Sequence, residues 1–131
     1  MPMMDRFQPL VLSLLRIMTG FLFIPHGAQK LFGALGADPA ELISLRGLAG
    51  VLEFFGGFLI LIGLFTKPVA FVLSGMMAVA YFMAHAPRGF WPVLNGGELA
   101  ALYCFVYLFL ATRGGGPWSA DALLRKKRDG E

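Results

Sequence analysis

The sequence predicts an all-α membrane protein in which four transmembrane helices form a bundle. Three observations predict this fold class: an apolar composition, four apolar stretches of about membrane length, and turn residues between them. Hydrophobic residues make up 57% of the 131 residues and charged residues 15%, whereas soluble domains average about 45–50% and about 25%. A small soluble domain cannot bury this much apolar surface. With one cysteine as well, the composition excludes a disordered chain, a soluble nucleic-acid-binding protein and a secreted disulfide scaffold.

The four candidate spans follow from the thickness of a bilayer. A hydrocarbon core about 30 Å thick needs roughly 20 apolar residues in a helix. The candidate segments are residues 7–32, 45–65, 68–86 and 95–112. The fourth is the shortest, so we expect a tilted or half-covered helix there. Residues 1–131 are then a single membrane domain, with residues 113–131 as a basic cytoplasmic tail.

Helix-capping patterns predict where several helices begin. Asp38 to Glu41 is a candidate capping box with proline in the first helical position. Asn95 and Glu98 are typical of a second capping box. Ser119 is suited to cap a short amphipathic helix from Ala120 to Arg128.

The distribution of positive charge predicts the orientation. Four spans place both termini on one side, which then carries seven cations: Arg6, Lys67, Arg113, Arg125, Lys126, Lys127 and Arg128. The opposite side carries three: Lys30, Arg46 and Arg88. The positive-inside rule therefore predicts that both termini are cytoplasmic.

Titratable residues within the spans are the candidate functional groups, because each costs about 2.5–3.5 kcal/mol to insert. Counted along the helices, His26 lies about 9 Å and Glu53 about 12 Å below the outer membrane edge. His85 ends the third span on that side, and Asn95 and Glu98 begin the fourth. We therefore expect these groups to share a hollow in the outer half of the bundle.

Helical spacing supports this interior. The third span carries a stripe of Ser74, Ala78, Tyr81 and His85, and the second a stripe of Arg46, Gly50, Glu53 and Gly57. Arg16 lies deeper in the first span, and Glu53 is the only acid on another helix at comparable depth. The sequence thus predicts an Arg16–Glu53 pair.

Several separated motifs resemble the DoxX family of small bacterial inner-membrane proteins. The motifs are residues 26–33 (HGAQKLFG), Glu53 with Gly56 and Gly57, residues 63–67 (GLFTK), and residues 80–85, 89–92 and 95–98. The resemblance implies a four-helix, multi-pass protein of the bacterial inner membrane. It also implies an association with quinone-linked oxidoreductases, including a thiosulfate–quinone oxidoreductase subunit. It further implies an association with oxidative or thiol stress complexes and with resistance to quinones and catechols.

The leading functional hypothesis is a pocket for a quinone or another small apolar molecule with polar oxygens, in an oxidoreductase or an oxidoreductase subunit. The candidate catalytic residues, which would donate protons to carbonyl oxygens or accept them, are His26, Glu53, His85 and Glu98. The candidate substrate-binding residues are Arg16, Gln29, Lys30, Tyr81, Trp91, Asn95 and Tyr103. Quinone is the candidate cofactor, and the electrons must come from a redox partner protein or from the substrate.

Two alternatives remain open at this stage. The protein is a non-catalytic assembly subunit or a small carrier, or it is a haem- or metal-binding membrane subunit. For the haem or metal alternative, the sequence lacks the Glu-x-x-His or His-x-x-x-His spacing that places two ligands on one helix face, and no metal ligand is assigned.

The expected partners begin with the lipid bilayer. The glycine-rich face of the second span is expected to pack either against the rest of the bundle or against a second copy of the chain.

Overall fold

The computed structural model describes residues 1–130, which contain helices and no strand. The α-helices are α1 (Pro2–Asp5), α2 (Gln8–Phe32), α3 (Leu45–Ile62), α4 (Thr66–Ala80), α5 (Pro92–Asn95), α6 (Glu98–Arg113) and α7 (Ala120–Asp129). A π-helical turn (Tyr81–His85) and a 3₁₀ turn (Ala86–Arg88) extend α4, and another 3₁₀ turn (Ala34–Gly36) follows α2.

Three helical segments are long and apolar enough to cross a membrane: Gln8–Phe32, Leu45–Ile62 and Thr66–Arg88. They correspond to the first three predicted spans. The second span ends three residues earlier than predicted, because Gly63 takes the left-handed conformation (φ 72°) that stops α3. At 16 residues, α6 is shorter than these three.

Glycines hold α2 and α3 in close antiparallel contact. A Cβ atom on Gly20 would lie 2.6 Å from the Leu61 backbone nitrogen, and one on Gly50 would lie 2.8 Å from the Lys30 Cβ. Only residues without a side chain let the two backbones approach this closely. The glycine face of the second span therefore packs against α2 inside the bundle, which leaves that face unavailable to a second copy.

The other close pair is α4 with α6, and both pairs share one core. Ser74 Oγ on α4 donates to the Cys104 backbone oxygen at 2.7 Å. Tyr107 on α6 is fully buried, and its hydroxyl donates to the Thr19 backbone oxygen on α2 at 3.2 Å. The core consists of Leu12, Phe23, Ile60, Ala70, Leu73, Met77, Tyr107 and Leu110.

Two of the three predicted helix starts are wrong. Ser44, and not Asp38, caps α3, since its Oγ accepts a hydrogen bond from Gly47 N at 2.9 Å. The backbone near Asp38 is instead held against the end of α2, because Ala40 N donates a hydrogen bond to Lys30 O in the last turn of that helix.

The predicted Asn95–Glu98 capping box is also absent. Gly96 is left-handed (φ 77°) and ends α5, so α6 cannot begin until Glu98. The Asn95 side chain instead accepts from Gly97 N at 2.8 Å. The third start is confirmed, since Ser119 Oγ accepts from Ala122 N at 3.1 Å at the beginning of α7.

Candidate functional site

Lys30 on α2 and Glu53 on α3 form an ion pair between the two helices. Lys30 Nζ lies 2.5 Å from Glu53 Oε1. Glu53 is only 4% exposed, and its second oxygen, Oε2, has no hydrogen-bond partner within residues 1–130. A buried carboxylate normally has both oxygens satisfied, so this pair retains one free acceptor.

Arg16 does not pair with Glu53, and the predicted Arg16–Glu53 bridge is wrong. Its guanidinium is 1% exposed and donates to three backbone oxygens: Gly115 at 2.5 Å, Trp118 at 2.7 Å and Leu61 at 3.3 Å. The loop after α6 folds over the opposite end of the bundle from Lys30 and supplies two of these oxygens. Arg16 therefore holds the C-terminal segment against the bundle, at the opposite end from Lys30 and Glu53.

An apolar groove lies beside the ion pair. Its volume is about 370 Å³, and Lys30 and Arg46 are its charged lining residues. The remaining wall comes from α3, α4 and the π turn, and consists of Leu45, Leu48, Ala49, Leu52, Met76, Val79, Ala80, Met83 and Ala84. Pockets for small organic molecules have this character, with mostly apolar walls and a few polar groups that fix orientation.

A second polar cluster forms where the π turn meets α5. Asn95 is 1% exposed, and its Nδ2 donates to Gly89 O at 3.0 Å and to the Tyr81 hydroxyl at 3.2 Å. His85 Nδ1 lies 3.2 Å from the backbone oxygen of Asn95. A Cβ on Gly97 would lie 2.7 Å from the Tyr81 ring. Tyr81 and His85 of the predicted stripe therefore face the start of α6, and no residue of the stripe lines the groove.

The structure does not bring the four proposed catalytic side chains into one hollow. Glu53 lies with Lys30, His85 lies with Asn95, and both His26 and Glu98 are exposed. The orientation of His26 has a clear cause. Gly27 must face α3, because any side chain there would collide with the Phe54 backbone, and the adjacent residue then points about 100° away.

Three further candidates take other positions. Trp91 is 62% exposed and packs edge-on against Phe90. Tyr103 packs edge-on against the Phe23 ring in the core, at 4.8 Å between centroids. Gln29 is half-buried near the C-terminal end of α2.

The Lys30–Glu53 pair itself was missed at the level of sequence, although both residues were candidates. The available signal is a cation near the C-terminal end of α2 and an anion in the N-terminal half of the next, antiparallel helix α3. Depth along the helices instead favours Arg16, because Glu53 is the only acid on another helix at a depth comparable to that of Arg16. In the part of the chain that the structure describes, no three His, Cys, Asp or Glu side chains cluster as a metal site requires.

Comparison with known proteins agrees with the motifs. The DoxX family profile matches residues 11–86. A protein of Haemophilus influenzae described as uncharacterized is 39% identical, over 95% of this chain and 98% of its own length. The "Inner membrane protein YqjF" of Escherichia coli is 28% identical, over 95% of this chain and 99% of its own.

A third relative, the "Uncharacterized membrane protein Rv3486" of Mycobacterium tuberculosis, is 28% identical over 86% of this chain and 80% of its own length. No solved structure matches the chain significantly. The matched profile covers more than half of the residues, including all of the second long apolar segment and most of the first and third. The chain is therefore an integral membrane protein that belongs to the DoxX family.

Proposed function

We propose that the protein is a redox-associated protein of the bacterial inner membrane that binds a quinone, or a similarly small apolar molecule with polar oxygens, in the groove beside Lys30 and Glu53. One observation carries the proposal. Lys30 lines a mostly apolar groove, and it is held there by the buried Glu53 carboxylate, which keeps one oxygen free. Ionisable groups inside a membrane are costly, and they are generally retained for function.

The lining of the groove suits the chemistry of a quinone. Leu52, Met76 and Val79 offer apolar contact to a ring, and the Lys30 ammonium is placed to donate to a carbonyl oxygen. Reduction of a quinone to a quinol takes up two electrons and two protons. After Lys30 has given one proton to the quinone it is a neutral amine. The free Glu53 oxygen can take up a proton from water and pass it to that amine, which restores the ammonium for the second proton transfer. The electrons must come from a partner redox protein or from the reduced substrate.

The second polar cluster has a supporting role in this proposal. Tyr81, His85 and Asn95 fix the π turn, and Ala84 on the same turn lines the groove. His26 and Glu98, both exposed, are proposed as proton-exchanging groups at the surface of the outer half.

We further propose that α6 is a fourth span and that both termini are cytoplasmic. The charged residues of α6 are confined to its two ends, Glu98 and Arg113. Between them, Leu102, Phe105 and Leu108 are exposed as lipid-facing side chains would be. At about 24 Å, α6 is shorter than the bilayer core, which tilting or local thinning of the bilayer accommodates. The name of the YqjF relative supports an inner-membrane location.

Cysteine labelling tests this orientation. In a Cys104→Ser background, Arg88→Cys should react with a membrane-impermeant maleimide in spheroplasts. Lys127→Cys should react only after permeabilisation. The reverse pattern, or reaction of both positions in sealed spheroplasts, would contradict the proposed topology.

Blocking the groove tests ligand binding. Ala84→Phe adds a ring at an exposed position of the groove wall. It should abolish saturable binding of a short-chain ubiquinone analogue to the purified protein, measured by calorimetry. The matched control is Gly75→Phe, because a Cβ there meets open space. Equal saturable binding by the wild type and Ala84→Phe would reject the groove as the site, and no saturable binding by the wild type would favour the non-catalytic alternative.

A further inference from the structure

A second, larger cavity lies at the opposite end of the bundle from the Lys30–Glu53 pair. Its volume is about 770 Å³, and it is enclosed by the beginnings of α2 and α4, the end of α6, the glycine loop that follows α6, and α7. It shares no lining residue with the groove of the proposed function.

Positive charge dominates this cavity. Lys67 on α4, Arg113 on α6, and Arg125 and Arg128 on α7 all line it. Three separate helices thus direct their cations to one space. Within residues 1–130, neither Lys67 nor Arg125 has a salt-bridge partner.

The one carboxylate in the lining, Asp121, does not neutralise these cations by pairing with them. Its Oδ1 accepts from Phe65 N at 2.8 Å, and its Oδ2 accepts from Thr66 N at 2.9 Å. Both oxygens therefore serve the positive end of α4. A strongly electropositive cavity remains.

The same cavity also has apolar walls. Leu12, Phe65, Pro68 and Leu124 line it together with the cations. The cavity is thus amphipathic, since apolar side chains and cations line the same space.

We propose that this cavity binds a phosphate-bearing anion, and that its source is the headgroup of an acidic phospholipid. Guanidinium groups match the oxygens of a phosphate in pairs and bind them in fixed geometry. The apolar walls suit the first segments of an acyl chain, which a free phosphate lacks. The phosphate chemistry stands independently of the proposed function, whereas placement in the cytoplasmic leaflet rests on the proposed orientation.

The test compares two double variants of α7 with the same net charge. Arg125→Gln/Arg128→Gln removes two cations that line the cavity. Lys126→Gln/Lys127→Gln removes two exposed cations of the same helix that lie outside the lining. Purified full-length protein in non-ionic detergent is titrated with phosphatidylglycerol, with phosphatidylcholine and with inorganic phosphate, and binding is followed by native mass spectrometry and by the shift in apparent Tm.

Phosphatidylglycerol should bind the wild type and the lysine variant equally, and the arginine variant about tenfold more weakly. Lys67→Gln, on a different helix, should also weaken binding and does not depend on the folding of α7. Equal loss in both double variants, or equal binding of phosphatidylcholine, would overturn the proposal, because only diffuse surface charge or the acyl chains would then be involved. If inorganic phosphate binds with the same arginine dependence and phosphatidylglycerol does not, the phosphate site stands and its lipid source is rejected.

Discussion

Asp121 caps the first turn of α4 from a position 55 residues further along the chain, where its Oδ2 accepts a hydrogen bond from Thr66 N at 2.9 Å. The first N–H groups of a helix have no partner within that helix, so this contact satisfies a need of α4. Asp121 N also donates to Gly63 O at 2.9 Å. The predicted basic tail is therefore a folded part of the bundle, attached at both its backbone and its side chains.

Replacing Asp121 should destabilise the protein. Asp121→Ala removes two hydrogen bonds at a helix N-terminus and should lower the free energy of unfolding by about 1–2 kcal/mol. Asp121→Asn keeps one acceptor and should lose less. Asp129→Ala, at an exposed site whose carboxylate pairs only with the neighbouring Arg128, is the control. Apparent Tm in detergent measures all three, and equal Tm values for Asp121→Ala and the control would show that the cap contributes nothing.

Replacing Arg16 should lower the free energy of unfolding more than replacing Asp121, because Arg16 links α2 to the C-terminal loop and to the end of α3. Arg16→Met leaves the oxygens of Gly115, Trp118 and Leu61 without their donor, and we expect a loss of about 3 kcal/mol. Arg16→Lys should recover less than half, since an ammonium cannot reproduce the planar fork of a guanidinium.

Hydrogen exchange of residues 115–122 provides the specific measurement for Arg16. Exchange there should accelerate in Arg16→Met and not in Arg88→Met, which removes an exposed cation elsewhere. Unchanged protection of this loop in Arg16→Met would show that the three hydrogen bonds do not hold it.

The close contact of α2 and α3 predicts opposite outcomes for two glycines. A Cβ on Gly20 would lie 2.6 Å from Leu61 N, and because backbone cannot yield as a side chain does, Gly20→Ala should destabilise by about 1–3 kcal/mol. Gly75→Ala meets open space and should be neutral or stabilising, since alanine favours helix. The change in apparent Tm of each variant measures this difference. An unchanged apparent Tm in Gly20→Ala would mean that α2 and α3 lie further apart than described.

The sequence was informative where one helix alone sets the outcome. The three long apolar segments follow from hydropathy and length, and Ser119 was recognisable as a cap because its partner, Ala122, is three residues away. The capping box at Asp38 failed because Ala40 N is engaged by Lys30 O. That contact depends on the path of the whole segment between α2 and α3, which a local sequence pattern cannot predict.

The arrangement of His26, Lys30 and Glu53 could be predicted only in part. Counting residues along each helix predicts the depth of Glu53, but the rotation of α2 decides which of its residues faces Glu53. Gly27 sets that rotation, so His26 points outward and Lys30 inward. The partners of Arg16 are backbone oxygens, and because every residue has one, they leave no signature in a sequence.

The central claim is that the Lys30–Glu53 pair forms part of a binding site for a quinone-like molecule. The most direct measurement is the affinity of a short-chain ubiquinone analogue for the purified wild type, Lys30→Met, Glu53→Gln and the double variant, with Glu41→Gln and Arg88→Met as exposed, charge-matched controls. We expect each single variant of the pair to bind about tenfold more weakly, the double variant to lose less than the two losses combined, and both controls to bind as the wild type does. Wild-type affinity in folded Lys30→Met and Glu53→Gln would contradict the claim.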